Sequence, residues 1–437
     1  MADTFGRHRS TRTPALLKAL GAVEAPQSLD HDGAFPIVIS AARGARVKDA
    51  DQNRYLDMTS FFGTCLAGHR HPAVIGAARK AIGTLAHTMG DVFPDQSRGA
   101  LLKKLQSLMP APDYKGHLSL NGADAVETAL KFAAAYTGRG GVISFEGAYH
   151  GLSAGALEVT WRPDLKAAFA PCLSGRAVFA PWPATDGSDM GTVLSTVEQL
   201  AGSTVLNSFG ADIGRPGALI VEPIQGRGGV RVPPPGFLSA LRDICSRHDI
   251  VFIADEIYCG CFRTGTFLAS ESDGVAPDIV CLGKALGGGF PISVAMMRGD
   301  VAAAVASSNG EAVHTSTFMG WPVSCQAAIA SIVALERMAP AARAGTIEAR
   351  VRQKGDLWVE RFDFIQGIRG RGAMLGIEVT PGTAMTIAAH ALQNGVIVLP
   401  EGCGNDVVAL TPPLPICCAD LDNALKILEK TFGTVQL

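Results

Sequence analysis

The sequence predicts an α/β fold in which a large, mostly parallel sheet lies under helices and a smaller α+β domain follows. Short apolar runs typical of buried strands alternate with helical patterns up to roughly residue 300. Each strand–helix–strand unit implies a crossover connection, which parallel strands require. At 437 residues the chain is also long enough to bury a large core and to form two lobes.

The first elements follow in order along the chain. Residues 1–35 are polar with weak periodicity and predict an arm, and residues 37–57 predict a hairpin with its turn at residues 47–51. Helical patterns dominate residues 72–109, most clearly at 73–82. The strands predicted for the large sheet are residues 117–120, 141–145, 218–222, 251–255, 279–282 and 292–297.

A different pattern begins near Gln326. It contains a long helix, strands at residues 372–379 and 396–400, and a C-terminal helix at residues 420–432. We therefore expect three parts. They are an N-terminal arm and hairpin that join the small domain (1–70), a large cofactor-binding domain (71–325) and a C-terminal small domain (326–437).

The composition argues against several classes of function. The 38 basic and 40 acidic residues nearly cancel, so no attraction to nucleic acid or to an anionic membrane is expected. No apolar run approaches the roughly 18 residues of a membrane span, and no secretion signal is visible. The ten cysteines lack zinc spacing, so we expect no metal site and interpret most of them as reduced core residues of a cytoplasmic protein.

Lys284 is the most informative single residue. It lies between an apolar strand-like run, residues 279–282, and a glycine-rich turn, residues 287–289. An isolated lysine is usually a solvated surface charge, but these neighbours leave Lys284 no polar face. Burial lowers the pKa of a lysine and so supplies the free amine that attacks a carbonyl.

Asp255 ends another apolar run, residues 250–254, and on its own could be only a helix cap. Together with Lys284 it predicts an enzyme that uses pyridoxal 5′-phosphate (PLP). This cofactor needs a lysine for its Schiff base and a carboxylate that keeps its ring nitrogen protonated. Ile257, two residues further along the same face, would then pack against the ring.

Two other motifs offer contacts for such a cofactor. The segment Asn121-Gly122-Ala123 precedes an alanine-rich helix whose N-terminus could bind the phosphate, although Asn-Gly is equally an ordinary turn. Tyr149 follows the next strand and could stack on the cofactor ring, with a core Tyr149–His150 pair as the alternative.

Substrate recognition is predicted at Arg369, in the tight context of residues 368–372 (IRGRG) at the entry to the small domain. A guanidinium held there suits bidentate binding of a carboxylate. A plain surface arginine is the alternative, and the neighbouring Arg371 could take the role instead.

Together these motifs resemble the class III (ω-amino acid) aminotransferases, a family of fold-type I PLP-dependent enzymes. The resemblance covers nearly the whole chain. It implies a sheet of the seven-stranded type and a homodimer with each active site at the subunit interface. The most specific matches are residues 222–226 (EPIQG), 233–237 (PPPGF), 255–257 (DEI), 263–265 (RTG) and the Lys284 segment.

The resemblance also implies residue roles. Thr317 would reach the phosphate bound in the partner subunit, Gln225 would lie near the ring's O3′, and Arg369 would bind the α-carboxylate of an amino or keto acid. Lys284 and Asp255 are the expected catalytic residues. The expected cofactor-binding residues are Asn121, Gly122, Ala123, Tyr149, His150, Glu222, Asp255, Ile257, Tyr258, Lys284 and Thr317, and the expected substrate-binding residues are Arg369, Arg227 and Phe62.

Three positions depart from the family pattern. Asn121 stands where Ser or Thr is usual, and Tyr258 stands where many relatives carry Gln. Arg227 replaces the Glu of members that use γ-aminobutyrate, ornithine or acetylornithine, where in some the Glu pairs with the carboxylate-binding arginine. An arginine would instead repel Arg369, so we expect an extra anion-binding group or a substrate with a different acidic end.

The resemblance therefore implies an aminotransferase. It would move an amino group from an amine or (ω-)amino acid to a 2-oxo acid, aldehyde or ketone, by a ping-pong mechanism through a Lys284 Schiff base. A PLP-dependent racemase, epimerase or decarboxylase on the same scaffold is the alternative, because a fold does not determine the reaction. A non-catalytic binding module is a further alternative, which the intact Lys284 and Asp255 oppose.

Overall fold

The structure, a computed structural model, describes residues 5–7, 9–25, 28, 35–185, 187–207, 210, 212–305 and 310–435. Part of the expected N-terminal arm therefore lies outside the described residues. The helices are α1 (Thr13–Gly21), α2 (Pro72–Thr84), α3 (Gln96–Gln106), α4 (Gly122–Thr137), α5 (Ala154–Glu158), α6 (Pro163–Lys166), α7 (Met190–Gly202), α8 (Phe237–Arg247), α9 (Gly299–Ala302), α10 (Pro322–Glu336), α11 (Pro340–Arg361), α12 (Ala384–Gln393) and α13 (Cys418–Phe432).

The strands are β1 (Ile39–Arg43), β2 (Arg46–Asp49), β3 (Arg54–Asp57), β4 (Lys115–Ser119), β5 (Gly141–Phe145), β6 (Ala177–Ala180), β7 (Pro216–Val221), β8 (Val251–Asp255), β9 (Ile279–Leu282), β10 (Ser293–Met297), β11 (Ile365–Arg371), β12 (Met374–Val379), β13 (Val396–Ile397), β14 (Leu399–Glu401) and β15 (Val407–Leu410). Short 3₁₀ segments follow β8 and β9 at Ala269–Asp273 and Lys284–Gly287.

The largest sheet has seven strands in the order β4-β10-β9-β8-β7-β5-β6. Strands β5, β6, β7, β8 and β9 are all parallel to one another, whereas β10 is antiparallel to both β4 and β9. Alternate residues of β8 pack on opposite faces, Val251 and Ile253 with α4 and Phe252 with α7 and α8. Helices thus cover both faces, and the predicted mostly parallel sheet is confirmed.

The predicted turn at residues 47–51 is wrong. Strand β2 runs through Asp49, so the region forms three antiparallel strands rather than one hairpin. The buried Asp49 carboxylate explains this, because its Oδ1 accepts hydrogen bonds from the backbone N–H groups of Asp51 and Asn53, at 2.9 and 2.8 Å. Asp49 therefore ends a strand and organises the turn that follows it, instead of lying within that turn.

The long helix predicted in the part that begins near Gln326 is α11, with 22 residues, and a separate helix precedes it. Helix α10 ends at Glu336, and α11 begins at Pro340 after Ala339, whose φ of +51° is incompatible with a continuous helix. The residues after α11 form an antiparallel sheet, β11-β12-β15-β14. Strand β13 instead pairs in parallel with β3, which joins the C-terminal region to the N-terminal sheet.

A hydrophobic core cluster extends from one face of the large sheet, at Leu282 and Val294, into this C-terminal region. Trp358 of α11 and Phe432 of α13 are fully buried, and their rings meet edge to face with centroids 5.1 Å apart. Aliphatic side chains of β12 and α12 complete the same cluster. Among the described residues, no helix is both long and apolar enough to cross a membrane.

Candidate active site

A cavity of about 290 Å³ opens where the parallel strands of the large sheet end. Its lining follows the carboxyl ends of β5, β7, β8 and β9, the edge at which open α/β sheets bind ligands. The lining residues are Asn121, Gly122, Ala123, Tyr149, His150, Gly151, Leu152, Glu222, Arg227, Asp255, Ile257, Tyr258 and Lys284. Every expected catalytic and cofactor-binding residue except Thr317 is therefore brought to one place, and Gly151 and Leu152 are additions.

Lys284 is held in an unusual backbone conformation. Its φ is +42°, a region that side chains other than glycine rarely adopt and that is common at functional sites. The lysine Nζ lies 3.7 Å from the centroid of the Tyr258 ring. Desolvation lowers the pKa of Lys284 to about 8, although the carboxylates of Asp255, Glu222 and Glu401 oppose that shift. The amine is consequently much easier to deprotonate than an ordinary lysine.

Asp255 and His150 form a buried pair at the end of β8. His150 Nδ1 lies 2.7 Å from Asp255 Oδ2, and Asp255 Oδ1 accepts a hydrogen bond from the backbone N–H of Ile257 at 3.1 Å. A carboxylate can only accept, so Nδ1 of the imidazole carries the proton. The Asp255 carboxylate thus has one fixed orientation beside the cavity.

Glu222 ties together two loops of the cavity. Its two carboxylate oxygens accept hydrogen bonds from the backbone N–H of Tyr149 at 3.0 Å and of Gly226 at 2.9 Å. The residue is only 5% exposed, and burial raises its pKa to about 7. These bonds fix the position of Tyr149 over the cavity relative to the loop that carries Arg227.

The N-terminus of α4 presents free donors to the cavity. Asn121 caps the helix, because its Oδ1 accepts from the backbone N–H of Asp124 at 3.1 Å. The N–H groups of Gly122 and Ala123 have no acceptor among the described residues. A side-chain Cβ at Gly122 would lie 3.0 Å from Ile257, so glycine keeps this approach open. The arrangement is a ready site for an anion.

Tyr258 occupies a slot between two glycines. A Cβ at Gly63 would lie 2.7 Å from the Tyr258 ring, and one at Gly226 would overlap it. The phenol oxygen lies 3.3 Å from Thr411 Oγ1, so the ring is held at its oxygen end and along the two opposite edges that the glycines approach. The Tyr258 ring is thus a fixed wall beside Lys284.

Arg227 lines the cavity, but its partner was not predicted. Its Nε lies 3.0 Å from Oε2 of Glu401, a residue whose side chain is only 2% exposed. Glu401 ends β14, and only a lone acidic residue after an apolar run (residues 396–400) marks it in the sequence. Burial raises the pKa of Glu401 to about 6, and nearby cations, Arg227 first, counter that rise.

Arg369 has partners other than this pair. Its guanidinium donates to the carbonyl of Gly229 at 2.7 Å and to Glu378 Oε1 at 3.0 Å. Among the described residues, the cavity lining does not include Arg369. Each arginine therefore has a carboxylate of its own, Glu401 for Arg227 and Glu378 for Arg369, which offsets the repulsion expected between them.

Three further expected residues also lie outside the lining formed by the described residues. Thr317 is exposed, and Phe62 is 50% exposed with a φ of +56°. Gln225 is fully buried behind the cavity, where its Nε2 donates to the carbonyl of Glu146 at 2.8 Å. The single chain thus offers no cavity contact from these positions.

Comparison with known proteins identifies the family. A model of the family described as aminotransferase class-III matches residues 28–432. The chain belongs to the class-III aminotransferases. It is 34% identical over 394 residues to an acetylornithine aminotransferase of Methanopyrus kandleri, and the match covers 90% of this chain and 93% of that relative. It is also 34% identical over 424 residues to a 4-aminobutyrate aminotransferase of Mycobacterium leprae, with 91% of each chain covered.

Solved structures give the same result. The ornithine aminotransferase of Toxoplasma gondii ME49 superposes with a TM-score of 0.82 at 28% identity, covering 98% of this chain and 96% of that one. An amine transaminase from an uncultivated Pseudomonas species, in its PLP-bound form, superposes with a TM-score of 0.84 at 28% identity, covering 94% and 98%.

These findings confirm the predicted fold-type I architecture and the predicted family. This class-III aminotransferase is an enzyme that transfers amino groups between amino and keto compounds. The racemase, epimerase and decarboxylase alternatives are not favoured, since the named relatives are aminotransferases. The family and the PLP-bound relative also imply a PLP-dependent reaction.

Proposed function

We propose that the cavity described above binds PLP and transfers amino groups from amines or (ω-)amino acids to 2-oxo acids. The observation that carries the proposal is the meeting of Lys284, Asp255 and the N-terminus of α4 in one cavity. The unpartnered N–H groups of Gly122 and Ala123 suit a phosphate. The fixed carboxylate of Asp255 suits a protonated ring nitrogen.

The residues of the chain then have defined tasks. PLP, when bound, supplies an electrophilic carbonyl and an electron sink. Nζ of Lys284, with its pKa lowered to about 8, would take the proton from the substrate carbon that bears the amino group. The same Nζ would then deliver that proton to the carbon that was the carbonyl carbon of PLP. His150 keeps the Asp255 carboxylate in place, and the Tyr149 ring covers the cavity. The Tyr258 ring holds Nζ in position.

Reductive trapping tests the assignment of Lys284. Borohydride reduction of the PLP-loaded protein should add the cofactor's mass to the peptide that contains Lys284, as seen by mass spectrometry of a digest. Lys284→Ala should lose both this adduct and turnover, whereas Lys80→Ala, at an exposed position of helix α2, should lose neither. An adduct on another lysine, or more than a trace of turnover in Lys284→Ala, would overturn the assignment.

We also propose that the enzyme is a homodimer with shared active sites. Exposed apolar side chains support this, since Met89, Val92, Phe93 and Phe318 are each about half exposed or more. Thr317 adjoins Phe318 and is exposed, which fits a contact with the phosphate bound in the partner subunit.

Arg369, besides Arg227, is a candidate for binding the substrate carboxylate. It could do so only if its contacts with Gly229 and Glu378 open.

The cytoplasm is the proposed compartment. All ten cysteines are free, and six of them are buried as small core residues. Reduced thiols are the usual state in the cytoplasm. Mass spectrometry of protein alkylated directly in a cell lysate should find every cysteine modified after unfolding, whereas disulfide-linked peptides would contradict the proposal.

A further inference from the structure

Six cationic side chains line two adjoining cavities beside the N-terminal sheet. They are Arg43, Arg46, Lys48, Arg54, Arg70 and Arg79. The first cavity has a volume of about 260 Å³ and the second about 380 Å³, and Arg43 and Arg70 line both. Among the described residues, neither lining contains an aspartate or a glutamate, and neither shares a residue with the catalytic cavity. The two cavities are therefore a separate feature of the molecule, with a strongly positive lining.

The pairing of β1, β2 and β3 places four of these cations on one face of the sheet. Arg46 and Lys48 flank the buried Val47 and therefore point to the opposite, outer face. Arg43 of β1 lies directly opposite Arg46, and Arg54 of β3 lies directly opposite Lys48. Like charges that are directly opposite on neighbouring strands destabilise a sheet. An anion bound over this face would offset that repulsion.

The other two cations come from the loop before α2 and from α2 itself. Arg70 is exposed with a φ of +52°, and Arg79 is exposed on α2. Pro72, Gly76 and Arg79 have the spacing of one helix face, and all three line the second cavity together with Arg70. A Cβ at Gly76 would meet nothing within 4 Å, so the space over this face is open. Helix α2 thus extends the positive lining beyond the sheet.

Little negative charge within the chain offsets these cations. Four of the six side chains make no hydrogen bond or ion pair with any residue that the structure describes, namely Arg43, Lys48, Arg70 and Arg79. Arg46 has a carboxylate partner, Asp420 of α13, at 2.8 Å. The whole chain has a formal net charge of −2, so the positive charge is local to these cavities and not a property of the composition. A local excess of one charge in a concave site attracts ligands of the opposite charge.

We propose that the two cavities together bind a chain of linked phosphates, either free or carried by a nucleotide. Guanidinium groups match phosphate oxygens with two parallel hydrogen bonds. Arg43 and Arg70, which both cavities share, would bind the middle of the chain. Phe5, Ala41 and Ala42 add an apolar surface to the first cavity, which suits the base of a nucleotide. A small ligand is favoured over a nucleic acid because the cations surround concave spaces of small-molecule size.

Isothermal titration calorimetry with sodium tripolyphosphate tests the proposal, on PLP-loaded enzyme in buffer without divalent metal. The unaltered protein should bind tripolyphosphate in a saturable manner. The double variant Arg43→Ala with Arg70→Ala removes the two arginines that both cavities share, so the dissociation constant should rise about tenfold or more. The control is Arg247→Ala with Arg361→Ala, which removes the same charge from exposed sites on α8 and α11 and should bind as the unaltered protein does.

ATP, titrated in the same way, distinguishes the two sources of the phosphate chain. Tighter binding of ATP than of tripolyphosphate assigns the site to a nucleotide, and equal or weaker binding assigns it to the phosphate chain alone. If the double variant does not fold, Arg79→Ala on the exposed face of α2 takes its place and should also weaken binding.

A thermal melt gives a second measurement. Tripolyphosphate should raise the melting temperature of the unaltered protein more than sodium chloride at the same ionic strength does, and the double variant should lose this difference. No saturable binding to the unaltered protein, unchanged binding in the double variant or an equal loss in the control would overturn the proposal. Tighter binding of a single-stranded RNA oligonucleotide than of either probe would also overturn it, because the ligand would then be a nucleic acid.

Discussion

Lys284 is an amine whose charge state sets what the cavity can do. Because desolvation lowers its pKa to about 8, the free amine should dominate above pH 8 and the ammonium below it. Acetic anhydride labels only free amines, so labelling of Lys284 in cofactor-free protein should rise with a midpoint near pH 8, followed by mass spectrometry. A lysine-containing model peptide titrates at about 10.4. A midpoint for Lys284 close to that of the peptide would contradict the lowered pKa.

Asp255 contributes charge rather than shape at the end of β8. Asp255→Asn keeps the size of the side chain but removes the negative charge that His150 orients. A carboxylate beside the ring nitrogen of PLP should raise the pKa of that nitrogen by about 1–3 units and so keep it protonated. Because the substitution removes this effect, we expect kcat to fall about ten- to a thousand-fold. Asp300→Asn, in an exposed pair with Arg298, is the matched control and should keep full activity. An Asp255→Asn enzyme within twofold of the unaltered kcat would exclude an electrostatic role.

At the scale of elements, α11 contains two glycines in opposite surroundings. Gly345 is exposed and a Cβ there would meet nothing within 4 Å, whereas a Cβ at the buried Gly355 would overlap Ile368 of β11. Alanine gains about 1 kcal/mol over glycine in a helix interior. Gly345→Ala should therefore raise the melting temperature, and Gly355→Ala should lower it, because overpacking costs about 1–3 kcal/mol. Equal shifts in a thermal melt would show that packing does not distinguish them.

The elements also show what the sequence could predict. Strands β5, β8 and β9 have the predicted bounds because each is a short apolar run that ends at a glycine or a polar residue. Strand β11 was missed because residues 367–372 contain three glycines, two arginines and only one apolar residue, Ile368. They therefore lack the alternation of apolar and polar residues that marks a strand. Asp49 was placed in a turn because aspartate is common in turns. The sequence pattern did not show that its carboxylate is buried and accepts hydrogen bonds from the backbone N–H groups of Asp51 and Asn53.

The candidate site could be predicted wherever one local segment carries the signal. Lys284, Asp255 and the segment from Asn121 each follow a strand, so the parallel sheet brings them to the same edge. Glu401 could not be found this way, because its partner Arg227 lies far away in sequence and only tertiary packing joins them. Arg369 was chosen for its glycine-rich context, which the structure explains by the tight β11–β12 hairpin.

On the scale of the whole molecule, the cavity depends on segments from most of the chain. The lining runs from Asn121 to Lys284, and Glu401 is supplied by the C-terminal sheet. Strand β13 pairs with β3 at the edge of the N-terminal sheet, so the C-terminal region is joined to that sheet. Truncation at either end should therefore disturb the cavity, although the cavity residues themselves lie between.

The last expectation concerns the proposed dimer and the exposed loop between α2 and α3. Val92 and Phe93 are 61% and 64% exposed in the loop between α2 and α3, which is unusual for large apolar side chains unless another subunit covers them. Light scattering should give twice the 45.5 kDa mass of one chain for the unaltered protein. The double variant Val92→Glu with Phe93→Glu should shift the mass to that of one chain, because burying two carboxylates in an interface is costly.

That monomer should also lose activity and bind PLP more weakly, because Thr317 could no longer reach the phosphate of a partner. Leu357→Glu is the matched control, since Leu357 is 53% exposed on α11 and should leave both mass and activity unchanged. PLP affinity, measured by fluorescence titration, separates dimer formation from the contribution of Thr317 to the partner's phosphate site. A monomeric variant with full activity and full PLP affinity would mean that each chain completes its own site, whereas an unaltered protein of 45.5 kDa would remove the dimer itself.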